Sequence, residues 1–283
     1  MKLRNIDFGD VLGASGVQGF FGEGYWFHKI WNPFYFDFTN MTFVAKTTTL
    51  LPQPGNMSLT QHYTPRNPFP GCVKAKLRRG VMLNSVGLSN PGLGALLGTS
   101  RWQKNTKPFL ISIMSLGETP QRRLEELRIM VETIGLCKGS FSAPFGLQIN
   151  LSCPNTGHDP HELIGESAKV LEIASTLGVP VMPKYGIASA PILAILQLNN
   201  NPNCDAICVS NTLPFGWQGV DWQQVWGSTT SPLAKLGGGG ILCPRDAEHY
   251  HDAGASSIFL GSVAVLRPWR VRAIINHANS LKW

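Results

Sequence analysis

The sequence has no run of about 18 apolar residues, which excludes a membrane-spanning helix. Its opening stretch, MKLRNIDFGD, lacks the apolar core of a secretory signal. No room precedes the first strand signal for a membrane-docking helical domain, so a cytoplasmic location is expected. Cysteine is sparse: there are six, and none forms a C-x-x-C pair. Cys204 and Cys208 are close, but the segment between them reads as a strand. A zinc or iron–sulfur site in this chain is therefore not expected, and reduced thiols are. No Ser-His-Asp or Cys-His grouping stands near a candidate nucleophile, which argues against a hydrolase. Linkers and internal repeats are also missing, so residues 1–283 are expected to form one domain. Acidic residues are fewer than basic ones, and the net charge is +7. That charge is scattered, with Lys74, Lys76, Arg78 and Arg79 as its densest patch. It suits an anionic substrate and a phosphate cofactor better than nucleic acid.

What is present is a chain of 283 residues, 43% hydrophobic, long enough for one α/β domain with a large core. Short β-branched runs alternate with helical patterns, as in parallel βα units. Eight strands are predicted: Val11–Ala14, Thr42–Lys46, Phe109–Ile113, Leu147–Leu151, Val179–Met182, Ala206–Ser210, Leu233–Leu236 and Ser257–Leu260. Eight strands close a (β/α)8 TIM barrel, here with an N-terminal strand extension and loop insertions. Helices are predicted over Pro120–Cys137, with Thr119 as N-cap, over His161–Leu177, ended by Gly178, over Asp246–Asp252 and over Val271–Leu281.

Polar or glycine residues follow nearly every predicted strand. In a barrel these ends converge on one mouth, where the active site lies. The Gly237–Gly240 run and Gly261-Ser262 follow successive late strands, an arrangement that suits a phosphate cradle. Lys46 and Lys184 stand at or just past strand ends, where an ammonium can hold negative charge. For one lysine alone, a surface role is the simpler reading. Asn84, Asn150, Asn155 and Asn211 offer both donors and acceptors, the complement a ring of alternating N–H and C=O groups needs. Cys153, in Asn150-Leu151-Ser152-Cys153-Pro154-Asn155, can act as a base if its surroundings favour thiolate. The bland alternative is a small buried thiol.

Together these segments resemble the dihydroorotate dehydrogenases, from about Val11 to Trp269. Ala14-Ser15-Gly16 is similar to the family's first flavin contact. Lys46-Thr47-Thr48-Thr49-Leu50, with Pro54-Gly55-Asn56, resembles the stretch carrying the lysine near flavin and substrate. Leu83 to Gly92 resembles the orotate loop, in which Asn84 and the backbone of Val86, Gly87 and Leu88 would grip the ring. Asn150 to Asn155 matches the catalytic loop, and a cysteine rather than a serine base points to the soluble class 1 enzymes. Lys184 falls where the family has a flavin-contacting lysine. Ser210-Asn211-Thr212-Leu213 resembles the second substrate asparagine and its neighbouring hydroxyl. Gly238, Gly239, Gly240, Gly261 and Ser262 match the phosphate loops. The resemblance implies bound FMN and oxidation of dihydroorotate in pyrimidine biosynthesis. Cys153 would take the C5 proton while hydride leaves C6 for flavin N5. A flavin/iron–sulfur electron-transfer subunit and a homodimer are the partners it implies.

Three stretches depart from the family pattern. The segment between Asn211 and the glycine run is short. Tyr25–Phe38 is unusually aromatic, and His62–Arg79 reads as an expanded basic loop; these two inserts are expected as a partner surface or a substrate lid. Two other functions stay open on sequence alone. One is a flavin enzyme acting on another cyclic amide, and the other is a non-catalytic flavin-binding subunit.

Overall fold

The computed structural model describes residues 1–31, 36–152, 160–186, 196–209 and 234–283. The chain starts with a small antiparallel hairpin, β1 (Lys2–Leu3) and β2 (Ile6–Asp7). Arg4 and Asn5 take positive φ at its turn, as a tight hairpin requires. The hairpin places Leu3 and Phe8 in the apolar interior with Leu12, Val44, Leu110, Met182, Ala206, Leu236 and Phe259. This is the expected N-terminal extension, and it plugs the floor of a barrel.

The barrel wall is a parallel sheet of seven strands. They are β3 (Val11–Gly13), β6 (Phe109–Ile113), β7 (Phe145–Asn150), β8 (Val181–Tyr185), β9 (Ala206–Val209), β10 (Ala234–Gly238) and β11 (Ser257–Leu260). Their order is β3-β11-β10-β9-β8-β7-β6, which leaves β3 and β6 as the two edges. Residues 42–48 fill the gap. Thr42 bridges Leu12 on one side, and Val44 and Thr48 bridge Leu110 and Ile113 on the other, all parallel. An eighth stave thus closes the (β/α)8 barrel.

That stave is not the regular strand Thr42–Lys46 that its β-branched residues suggest. Val44 to Thr48 is a step of four residues against a step of three from Leu110 to Ile113. One extra residue is inserted, which is a β-bulge. At the bulge the Lys46 N–H leaves the ladder and donates to Gly19 O at 2.9 Å. The bulge turns Thr47 toward the barrel interior and sends Lys46 aside.

Other boundaries shift for physical reasons. Val179–Met182 becomes Val181–Tyr185, running through Pro183 where a proline would ordinarily end a central strand. Proline donates nothing, and the β8–β9 ladder begins just past it, at Lys184 opposite Cys208. Lys184 is therefore a strand residue. Leu233–Leu236 becomes Ala234–Gly238, so Gly237 and Gly238 also lie in a strand; Leu233 and Ser210 lie outside the described residues.

The helix Pro120–Cys137 (α3) has the expected ends, with the Thr119 side chain accepting from Arg122 N–H at 3.3 Å. The predicted helix His161–Leu177 is interrupted at Glu166 and splits into Pro160–Gly165 and Ser167–Ser175. Glu166 is buried there against Arg123 of α3, which also reaches Glu162 at 2.9 Å and Gly117 O at 3.3 Å. The helices predicted over Asp246–Asp252 and Val271–Leu281 are Pro244–Asp252 and Val271–Ala278.

Candidate functional site

At the C-terminal ends of four neighbouring staves, one polar chain crosses the mouth. Ser15 Oγ, just past β3, lies 2.8 Å from Thr47 Oγ1 and accepts the Thr47 N–H at 2.9 Å. Thr47 Oγ1 lies 2.9 Å from Ser112 Oγ on β6, and Asn150 Nδ2 on β7 donates to Thr47 Oγ1 at 3.5 Å. Thr47, Ser112 and Asn150 are all buried. The chain continues to Ser152, whose N–H donates to Asn150 Oδ1 at 3.4 Å and whose hydroxyl donates to Lys184 O at 3.3 Å. Lys184, opposite Asn150 in the ladder, is buried as well. Ser15, Thr47, Asn150 and Lys184 are thereby brought together as expected. Cys153, Asn155, Asn211 and Thr212 lie outside the described residues.

A second cluster holds the glycine-asparagine loop. Lys46 Nζ donates to Ser89 O and lies 4.9 Å from the centre of the Phe20 ring. A Cβ at Gly16 would touch the Lys46 side chain, at 3.4 Å from Cγ. Val86, Gly87 and Leu88 form a turn in which Gly87 and Leu88 take positive φ. The turn is fastened by Asn56: its N–H donates to Val86 O at 2.9 Å and its Nδ2 to Ser85 O at 2.6 Å. Gly55 is obligatory here, since a Cβ would sit 2.3 Å from Ser89 Oγ and 2.5 Å from Val86 O.

Asn90 is the residue that sequence reasoning missed in this cluster. Its Oδ1 accepts from Thr48 Oγ1 at 2.8 Å and from Gly92 N–H at 2.9 Å, and its Nδ2 donates to Leu88 O at 2.7 Å. One buried carboxamide thus ties the loop to the bulged stave. Asn90 in an Asn-Pro-Gly sequence reads simply as a turn former.

Asn84 ends a hairpin of β4 (Val73–Lys76) and β5 (Val81–Asn84), opposite Val73. The basic patch is accordingly part of an exposed two-stranded ribbon, with Leu77–Arg79 at its turn, and not of an irregular loop. Gly80 at that turn faces Leu242 and Arg267, so the ribbon reaches the segments that follow β10 and β11.

The glycine run divides by role. A Cβ at Gly237 would fall 2.4 Å from the Tyr250 ring, so this glycine admits a packed aromatic. Gly238 pairs with Phe259 in the sheet. Gly239 and Gly240, past the strand, take φ of 118° and 69°, and Tyr250 Oη donates to Gly239 O at 2.8 Å. Beside them Gly261 passes so near Ala14 that a Cβ would meet its Cβ at 3.1 Å. Ser262 opens the short helix Val263–Leu266.

The aromatic insert turns inward. Tyr25 Oη donates to Gly16 O at 2.8 Å. His28 stacks on Phe36 at 4.4 Å, receives the Tyr25 N–H on Nδ1 at 3.0 Å and meets Ala264 O through Nε2 at 2.9 Å. Burial lowers its pKa to about 4. These residues brace Gly16 and the helix after β11, while Trp26 and Ile30 remain exposed. Phe34 and Tyr35 lie outside the described residues. Of the described thiols, Cys72, Cys204 and Cys208 are all pushed up by burial, the last two to about 12. None of those three is prepared as a thiolate.

The family model described as dihydroorotate dehydrogenase matches residues 1–212. The catalytic subunit of dihydroorotate dehydrogenase B (NAD(+)) from Desulforudis audaxviator is 26% identical over 93% of this chain and 85% of its own length. The corresponding subunit from Trichlorobacter lovleyi is 27% identical over 95% of this chain and 86% of its own. The crystal structure of DHODH from Eimeria tenella in complex with ferulenol superposes with a TM-score of 0.70. At 16% identity it covers 98% of this chain and 82% of that one, a likeness of fold.

Proposed function

The chain belongs to the dihydroorotate dehydrogenase family, and from that premise we propose that it oxidises dihydroorotate to orotate with FMN as cofactor. The observation that carries this reading is the Ser15–Thr47–Ser112–Asn150 chain, which crosses the mouth and continues to Ser152, next to Cys153 in sequence. The residues around it fit a planar cofactor with a phosphate tail. Backbone stands open at Gly239 and Gly240, where an added Cβ would meet at most Tyr250 Oη at 4.0 Å, and the buried amide of Gln148 in the wall has no protein partner.

In this assignment Ala14, Ser15, Gly16, Lys46, Thr47, Asn150 and Lys184 hold the ring system of FMN, and Gly238, Gly239, Gly240, Gly261 and Ser262 hold its phosphate. Bound FMN supplies the hydride acceptor. Cys153 removes the C5 proton of dihydroorotate. Asn84, Asn150, Asn155 and Asn211 fix the substrate ring by paired donors and acceptors, and Thr212 adds a hydroxyl. The backbone of Val86, Gly87 and Leu88, beside Lys46, takes the carboxylate. The relatives named above are catalytic subunits of an NAD(+)-type enzyme. By that likeness the electrons leave through a flavin/iron–sulfur partner subunit, in the cytoplasm.

Cys153→Ala tests the base. It should retain FMN and bind orotate, while flavin reduction by dihydroorotate slows by about 10²–10⁴-fold. Cys153→Ser should keep a small rate that rises with pH. Reduction at the wild-type rate in Cys153→Ala would remove the cysteine from the mechanism.

A further inference from the structure

Gln148 is fully buried, and neither its Oε1 nor its Nε2 has a hydrogen-bond partner. Buried carboxamides left in this state are rare, because each atom forfeits its hydration without replacement. The position of Gln148 restricts what can complete it. On β7 the residues Gly146, Gln148 and Asn150 alternate onto the barrel interior. Below, at Gly146, the space is filled: a Cβ there would lie 2.9 Å from Leu110 Cδ2 and 3.3 Å from Phe8 Cζ. Beside Gln148 in the ladder stand Ser112 on β6 and Met182 on β8. Ser112 Oγ is bonded to Thr47, and Met182 is apolar and belongs to the interior cluster. Above is Asn150, bonded to Thr47. Gln148 therefore stands at the boundary between an apolar floor and the polar mouth.

We propose that Gln148 is a further cofactor-binding residue, whose amide is completed by the ring system of the flavin. This rests on the reading that the chain binds FMN. A carboxamide presents a donor and an acceptor side by side. The matching partner is a group with an adjacent acceptor and donor, as in the C=O and N–H of the flavin's pyrimidine half. A phosphate, which offers only acceptors when ionised, leaves Oε1 unanswered. The apolar floor below gives the amide no other direction in which to turn.

The test compares the whole wild-type chain with Gln148→Met, an apolar replacement of similar shape, and with Gln148→Glu, which keeps a polar head and adds charge. Flavin is removed, and FMN rebinding is followed by quenching of its fluorescence. The reduction potential and visible spectrum of each loaded protein are then recorded. Gln148→Met should bind FMN about tenfold more weakly, equivalent to one lost hydrogen bond. Its flavin-free form should melt no lower than wild type, since an unsatisfied amide has been removed. Gln148→Glu should move the potential to more negative values, because a carboxylate nearby opposes the reduced anionic flavin. If wild type takes up FMN but both variants match it in affinity, spectrum and potential, Gln148 is completed by internal water and the proposal falls alone. If wild type takes up no FMN, the cofactor reading fails and the proposal fails with it.

Discussion

Thr47 joins three other side chains through one oxygen, with Ser15 and Ser112 within 2.9 Å and Asn150 at 3.5 Å. Thr47→Val keeps the shape and deletes that oxygen. It should cost about 1–3 kcal/mol in urea denaturation, and purified protein should carry less flavin per chain. Asn90→Ala should act differently, since Asn90 ties the Val86–Leu88 turn to the bulged stave and lies outside the Ser15–Asn150 chain. Its expected signature in steady-state kinetics is a raised KM for dihydroorotate with a smaller change in kcat. Ser15, Thr47, Asn150 and Lys184 were legible from sequence because they stand at or beside strand ends. Ser112 and Gln148 were not, because each is a polar residue flanked on both sides by apolar ones inside a strand, Ile-Ser-Ile and Leu-Gln-Ile. Only closure of the barrel turns their side chains toward a common mouth.

Individual elements are held by contacts distant in sequence. Arg123 sits on α3, yet it fixes the break at Glu166 and the loop carbonyl of Gly117. Arg123→Met would strand the Glu166 carboxylate in the interior, and equilibrium unfolding should show a loss of about 3–5 kcal/mol. No periodicity announces that ion pair; the apolar stripe alone predicts one unbroken helix. The bulge at Lys46 was hidden in the same way, because β-branched residues favour a strand without stating its register. Within the aromatic insert, His28 is held neutral, with its pKa lowered from 6.5 to about 4. The unfolded chain then binds more protons between these values than the folded one. Stability should be full above about pH 6.5 and fall as the pH drops toward 4, by an amount of order 3 kcal/mol at the limit. Thermal melts from pH 7 to pH 4 check this, and His28→Phe should flatten the dependence. The inner face of the insert is packing that braces Gly16 and Ala264, while Trp26 and Ile30 stay exposed on its outer side.

For the whole molecule, the barrel was legible from the count and spacing of βα units, and eight staves close it. Helix boundaries were readable where a cap marks them, as at Thr119. They were not where a tertiary contact decides, as at Glu166. Among the described residues no helix is long and apolar enough to cross a membrane. The convergence of the candidate site follows from closure: residues far apart in sequence, from Ala14 to Ser262, are assigned to one mouth. A ligand bound by so many separate loops should stabilise the fold as a whole, so added FMN should raise the melting temperature of flavin-depleted protein. The most direct test of the account is an anaerobic titration of the purified, flavin-loaded chain with dihydroorotate, followed by its visible spectrum. The account predicts bleaching of the oxidised flavin bands and formation of orotate, one molecule for each flavin reduced. A flavin that stays oxidised in excess dihydroorotate would contradict it.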